Sequence, residues 1–294
     1  MDDPDDKPAH NLVLDELIRL LDVTPDVDLA FLAQARAGAE GLIYGGQVIA
    51  QALMAATRTV DAERAVHSLH AYFLRGGDDT AAVRFEVSAD FDGSSFSNRR
   101  VIAVQHGRPI FNLAASFQRP ENRPGHARKA PIVDPPEALH DLAYHVEHHA
   151  AGRFAASHII RRKSPFDIRV ASGPLTFLPS DREGYANLWF KLAEPRQLPQ
   201  ALQRVILAYM SDFTLLPTVI QPYGRIWSSP GVQQASIDHA MWFHRDVNLD
   251  DWLLFSMRSP WAGNGRGFSR GNFFHRDGSL IASCAQEGLF RIIE

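Results

Sequence analysis

The sequence predicts an α+β fold of two tandem units, each an antiparallel sheet wrapped around one long apolar helix. A repeated segment is the first reason. Val232 to Arg245 reads VQQASIDHAMWFHR and Arg64 to Arg75 reads RAVHSLHAYFLR. Aligning His239 with His70 sets a His-Ala pair in register and lays Met241-Trp242-Phe243 over Tyr72-Phe73-Leu74, at an offset of 169 residues. Order is the second reason: each copy follows a helix-like apolar segment (Gln47 to Thr59; Gln203 to Leu216) and precedes runs that alternate as strands do. The third is length, since 294 residues, 45% of them apolar, can bury the core of two ordinary units.

Taken in order, Leu12, Leu14, Leu17, Ile18 and Leu21 have the spacing of an amphipathic helix, and Val27 to Ala35 reads as a strand. Gly45-Gly46 then opens the Gln47 to Thr59 helix, with no Asp or Glu between Gly45 and Val60. Four strands are expected next, near Val66 to Leu74, Val83 to Phe91, Phe96 to Gln105 and Pro109 to Gln118, parted by turns at Gly76-Gly77, Asp92-Gly93 and His106-Gly107. Prolines 120, 124, 131, 135 and 136 mark a connector, with a short helix near Leu142 to Ala151. The second unit is expected to hold strands near Phe166 to Ala171 and Ala186 to Leu192, then the Gln203 to Leu216 helix. Strands follow near Ser236 to His244, Trp252 to Ser259, Phe268 to His275 and Leu280 to Gln286. The expected division is 1–118, a connector 119–164, and 165–294. A sheet wrapped around one helix, present twice, is the arrangement called a double hotdog.

Charge narrows the function classes. Thirty basic against 34 acidic residues give a net charge of −4, which offers no broad electropositive footprint for nucleic acid or anionic membrane. The start, Met1-Asp2-Asp3-Pro4-Asp5-Asp6, lacks an apolar signal core, and no apolar run reads as long enough to cross a bilayer, so a cytoplasmic protein without membrane insertion is expected. Arg291-Ile292-Ile293-Glu294 is not a peroxisomal address. The single cysteine, Cys284, excludes an internal disulfide framework and argues against a cysteine-based metal site.

Three polar residues fall in apolar company. Asp212 has Ala208, Tyr209, Leu215 and Leu216 one helical turn away, so the pattern projects it from an apolar face. Desolvation there raises a carboxyl pKa towards the range useful for taking a proton, although a structural carboxylate satisfied by backbone amides or an arginine remains open. The first-unit helix has no counterpart acid. Ser236 opens the central strand, and alternation puts it with Asp238, Ala240 and Trp242, opposite Ile237, His239, Met241 and Phe243. No Gly-x-Ser-x-Gly elbow surrounds it, so a serine hydrolase of that kind is not supported. Gln286 shares a strand face with Leu280, Ala282 and Cys284; its amide needs a hydrogen-bond partner.

Taken together, the motifs carry a resemblance. In the first half they are Tyr44-Gly45-Gly46-Gln47, His67 through Arg75, Gly93-Ser94-Ser95-Phe96 with Arg99-Arg100, and Ala115-Ser116-Phe117-Gln118. In the second they are Ser211-Asp212 with Leu216-Pro217, Ile237-Asp238-His239, Met241 through Arg245, Trp252-Leu253-Leu254, Arg266-Gly267-Phe268 and Gln286-Glu287-Gly288. The chain resembles the acyl-CoA thioesterase II (TesB-type) family over nearly its whole length. The resemblance implies a double hotdog enzyme that hydrolyses acyl-CoA thioesters with an Asp, a Thr or Ser, and a Gln, roles that fall on Asp212, Ser236 and Gln286. Some members have threonine where Ser236 stands, and Pro-Gly where Gly76-Gly77 stands.

On this reading Asp212 takes a proton from a water that Ser236 and Gln286 help to hold, with no covalent acyl-enzyme. Backbone amides at Gly45, Gly46 and Gln47 are the expected oxyanion donors if that helix start faces Asp212. Acyl-CoA is the expected partner, no cofactor is expected, and the family implies a homodimer or larger homo-oligomer. Arg266 or Arg270 is a candidate for a CoA phosphate, while Arg99 and Arg100 read as surface or strand positions. Gly263 to Gly267 reads as a hairpin turn, not a phosphate loop. His145, His148 and His149 have metal-like spacing but no fourth ligand, so a solvated connector helix is preferred and no metal is expected. Cys284 reads as packed core. Two alternatives remain, a hotdog-fold enoyl-CoA hydratase and a non-catalytic acyl-CoA-binding protein. The hydratase needs a cooperating Asp and His, and Asp238 and His239, adjacent in a strand, point to opposite faces.

Overall fold

A computed structural model describes residues 9–36, 41–149, 164–172, 184–226 and 229–293. Helix α1 (Ala9–Leu21) buries Leu14, Leu17 and Leu21 at helical spacing. Strands β1 (Thr24–Pro25) and β2 (Ala30–Ala33) follow. The expected strand over Val27 to Ala35 is shorter because Asp28 takes φ 54° and Ala30 N–H turns back to the Val27 carbonyl. Helix α2 (Gly45–Thr57) is buried along nearly its whole length, and β3 (Ala65–Phe73), β4 (Val83–Asp92), β5 (Phe96–Gln105) and β6 (Arg108–Gln118) complete the first half. In the connector, α3 (Leu142–His149) forms as the spacing predicts up to His149; Ala150 and Ala151 lie outside the described residues.

The second half holds β7 (Phe166–Ser172), β8 (Tyr185–Leu192), α4 (Gln200–Ser211), two short 3₁₀ turns, β9 (Val232–Ser236) and β10 (Asp238–Phe243). It ends with β11 (Leu253–Gly263), β12 (Arg266–His275) and β13 (Leu280–Ile292). Among the described residues, strand order is β1-β2-β4-β5-β6-β3-β10-β13-β12-β11-β8-β7, with β9 pairing β13. The repeated motif lies at the junction: β3 and β10 pair antiparallel, Ala71 opposite His239 and His70 opposite Ala240. A rotation that exchanges the halves therefore exchanges these two strands, as expected of a fused duplicate of a two-fold dimer. The Asn264-Gly265 turn between β11 and β12 has φ 51° and 73°, the two-residue hairpin geometry that this dipeptide permits.

Both helices lie against the inner face, and Ile49, Leu53, Val205 and Ile206 join one apolar core with strand residues from both halves. Arg204 fastens the halves, donating from Nη1 to the Val66 carbonyl at 2.6 Å and pairing through Nη2 with Asp246. Arg99, expected at a strand or surface position, is a buried strand residue that donates to Thr59 and pairs with Asp92, while Arg100 is exposed and pairs with Asp90. On the outer face, Trp189, Trp252, Leu254 and Phe274 form a separate apolar patch covered by Ala130, Val133 and Leu139 of the connector. Trp189 Nε1 donates to the Asp134 carbonyl at 2.9 Å, so the connector is strapped to the sheet.

One sequence expectation needs correction here. The stretch Gln200–Tyr223, made of α4 and the 3₁₀ turns that follow it, is by length and apolarity alone sufficient to cross a bilayer; in the fold, 83% of its most apolar window is buried within the protein.

The start of α2 meets the end of α4 so closely that a Cβ on Gly46 would lie 2.3 Å from the Tyr209 carbonyl oxygen. Gly46→Ala is therefore expected to cost about 1–3 kcal/mol through overpacking and to lower Tm by several degrees in a thermal melt. An unchanged Tm would contradict this close approach.

Candidate active site

Helix α4 ends earlier than the apolar spacing suggests. The spacing predicts helix to Leu216, but the last helical residue is Ser211 and Asp212 is the C-cap. Thr214 takes φ 63°, a left-handed conformation that costs a β-branched residue ~1–3 kcal/mol, and Pro217 disfavours helix at the residue before it. The chain therefore turns away directly after Asp212. Leu215 and Leu216 are not its helical neighbours. The surroundings of the carboxyl come instead from elsewhere: a Cβ on Gly45 would fall 2.7 Å from Asp212 Oδ2, and the Gly46 N–H hydrogen-bonds to the carboxylate.

The third side comes from β13. Gln286, fully buried, donates from Nε2 to Asp212 Oδ1 at 2.7 Å and to Ser236 Oγ at 2.9 Å. Ser236 reaches it by a route that alternation misassigns. The expected single strand from Ser236 to His244 is two strands, with Ser236 opposite Gly288 but Ala240 opposite Ala285. Four steps on one side thus match three on the other, a bulge at Ile237 to His239. It turns Ser236 to the inner face that carries His239 and Met241, away from Asp238, Ala240 and Trp242. Without that extra residue the hydroxyl would point to the outer surface.

Burial, the largest influence, raises the Asp212 pKa above the ordinary aspartate value of 3.8, and the Gln286 and Gly46 hydrogen bonds pull it back down. The residue nevertheless keeps part of its surface accessible. Burial and then the nearby Asp212 charge raise the Tyr44 phenol, whose hydroxyl donates to the Tyr209 carbonyl at 3.0 Å. Beneath Asp212, Ser211 Oγ donates to the Ala208 carbonyl and meets His239 Nε2 at 2.8 Å. That geometry makes the hydroxyl the acceptor and places the histidine proton on Nε2. Burial lowers the His239 pKa to about 3, so it stays neutral.

The sequence brought forward Asp212, Ser236 and Gln286, and the fold brings them into one hydrogen-bonded group. It missed Tyr44, Ser211 and His239 as supports. Only the motifs containing them hinted at a role, since no periodicity links positions so far apart in the chain. Of the proposed oxyanion donors, Gly45 and Gly46 adjoin Asp212, but the Gln47 N–H donates to the Tyr44 carbonyl at 3.0 Å and its side chain donates to the Gln34 carbonyl. The expectation is thereby corrected for Gln47, and for Gly46 as well, whose N–H is taken by the Asp212 carboxylate.

Arg266 and Arg270 do not reach the group: on β12 they alternate with the inward Gly267 and Ser269, and Arg266 pairs with Glu287. Cys284 is buried on the inner face, and burial pushes its thiol up. Asp238 and His239 do face opposite ways, the first receiving the Glu287 N–H and the second buried on Ser211. Among the described residues no cluster of three or more His, Cys, Asp or Glu has metal-binding geometry; the side chains of His148 and His149 lie outside those residues.

The architecture is that of the double hotdog proteins. A hot dog fold protein of unknown function from Alicyclobacillus acidocaldarius superposes with a TM-score of 0.75 over 95% of this chain and 99% of its own, at 20% identity, a likeness of fold alone. An acyl-CoA thioesterase II from Mycobacterium marinum is closer in sequence, at 35% identity and TM-score 0.76, covering 94% of this chain and 98% of that one. Acyl-CoA thioesterase 2 of Haemophilus influenzae is 35% identical over 96% of this chain and 99% of its own length. Human acyl-coenzyme A thioesterase 8 is also 35% identical, over 85% and 81%. Residues 34–118 match the family described as acyl-CoA thioesterase N-terminal domain, and residues 161–289 that described as acyl-CoA thioesterase. The chain belongs to the acyl-CoA thioesterase family, a family of hydrolases.

Removing the Gln286 donor while keeping its bulk should raise the Asp212 pKa further, because that hydrogen bond favours the ionised form. A ¹³C NMR titration of the Asp212 carboxyl is expected to give a midpoint above 3.8 in the native protein and a higher one in Gln286→Met. A lower midpoint in the variant would refute the pairing.

Proposed function

We propose that this thioesterase hydrolyses acyl-CoA by general-base activation of water at Asp212. The observation that carries the proposal is the shared Gln286 donor. It orients a buried carboxylate of raised pKa and a hydroxyl towards one point, at the start of a helix whose first amide, that of Gly45, has no intrahelical acceptor. In the ionised form Asp212 accepts a proton from water as its oxygen bonds to the thioester carbonyl carbon. The carbonyl oxygen takes the negative charge beside the Gly45 amide, which has no intrahelical acceptor at that first position. Collapse breaks the C–S bond, CoA leaves as thiolate, and the proton held by Asp212 returns to the products. Ser236 positions the water; its Oγ partner is an amide, not a base, so it lacks what a nucleophilic serine requires.

Exposed Tyr72 and Trp242 on the outer face at the β3–β10 junction support the reading that the protein works as a homodimer or larger homo-oligomer. The 83% burial of the Gln200–Tyr223 window supports a core helix without membrane insertion, and we further read the enzyme as cytoplasmic and acting in fatty acid metabolism.

Asp212→Asn should lower kcat by ~10²–10⁴-fold with the fold and acyl-CoA affinity retained, as read by thiol release and calorimetry; full activity would reject the base. Because catalysis needs the carboxylate and its pKa is raised, kcat/KM should fall as pH drops through a midpoint above 3.8, the value of an ordinary Asp. A profile flat down to that value would exclude Asp212. Ser236→Ala should lose positioning but keep measurable turnover, and intact-mass analysis should find no acyl adduct on the native enzyme.

A further inference from the structure

The outer face of the second half carries a polar platform on the opposite side of the sheet from Asp212. Cross-strand register on β8, β11 and β12 sets Tyr185, Arg258 and Arg270 in one row, and Asn187, Ser256 and Asn272 in the row beside it. The following row, Trp189, Leu254 and Phe274, is apolar and lies under the connector. Where that cover ends, Arg128 and Pro131 of the connector border a groove of about 270 Å³ floored by the two polar rows.

The charge pattern in this groove is hard to explain as a solvated surface. Arg258 stands directly opposite Arg270 on adjacent strands, a position in which like charges repel. Exposed Arg100, Arg266 and Arg276 have a carboxylate within ion-pair distance, and exposed arginines that lack one among the described residues, such as Arg19 and Arg108, do not stand opposite another arginine on a neighbouring strand. Among the described residues no carboxylate lies within ion-pair distance of Arg128, Arg258 or Arg270. Three guanidinium groups without an ion-pair partner among the described residues therefore converge on one concavity in a protein of net charge −4. Guanidinium groups so placed suit phosphate oxygens, which they bind through paired charge-assisted hydrogen bonds. The adjoining amide and hydroxyl row supplies donors and acceptors for a sugar or base, and Tyr185 supplies a ring at the end of the arginine row.

We propose that this groove is a second binding site, for a nucleotide held by its phosphates. Two sources share that chemistry, the nucleotide end of CoA and a free nucleoside polyphosphate. The site stands apart from the role assigned to Asp212, and a small thioester without a nucleotide reports on that role separately.

The test is calorimetric titration of ATP and of CoA into the full-length protein, an Arg258→Gln/Arg270→Gln variant and an Arg100→Gln control. Turnover of an acyl N-acetylcysteamine thioester is measured alongside. The double variant is expected to weaken ATP or CoA binding by at least about tenfold, the control to weaken neither, and turnover of the small thioester to stay unchanged in both. Weakened ATP binding with an unchanged KM for acyl-CoA identifies a free nucleotide as the ligand; a matching rise in that KM identifies the CoA end. Equal affinities for both ligands in the native protein and the double variant would overturn the site. So would loss of small-thioester turnover in the double variant, since the groove would then not be separate from the catalytic group.

Discussion

The meeting of one helix start with another helix end governs this molecule. Gly45 and Gly46 carry no Cβ, and for that reason α2 can begin against the last turn of α4, within reach of the Tyr209 carbonyl and the Asp212 carboxyl. Two consequences follow from the contact. The carboxyl loses water on one side, which raises its pKa, and gains the Gly46 amide, which limits the rise. Gln286 and Ser236 then have a fixed object to orient around. The proposed catalytic group thus belongs to neither half alone, because the first contributes its helix start and the second its acid, amide and hydroxyl.

The protein has two such helices but only one acid at their ends. The two C-cap positions make the contrast plain: Asp212 ends α4, whereas Arg58 ends α2 and is spent on the Val23 carbonyl and Asp22. The first half keeps the sheet, the central strand and the helix. At the equivalent helix end it has turned to structural work, with Arg99 buried against Thr59 and Asp92 beyond it. One acid in two similar shells is the expected economy once a fused pair no longer needs two identical halves.

Much of this was legible in the residues. Period-two alternation located β4, β5, β6 and β8 to within a residue or two, and the repeat marked the strands at the junction. What failed did so for local backbone reasons that hydrophobic spacing does not encode. Apolar periodicity carried α4 past Ser211 because it does not register Thr214 entering a left-handed conformation. Alternation sent Ser236 to the wrong face because a single inserted residue at a bulge reverses parity. The His239–Ser211 support and the arginine groove depend on cross-strand register, which a linear pattern does not reveal.

The central claim is that the carboxylate acts on water and not on the thioester itself. A single turnover in H₂¹⁸O with enzyme in excess tests this against an anhydride that is opened at the aspartyl carbon. Direct attack by water puts ¹⁸O into the fatty acid and none into Asp212, and that is the result this account requires. Unlabelled fatty acid with ¹⁸O in the Asp212 carboxyl would mean that the aspartate had formed an anhydride, and would contradict it.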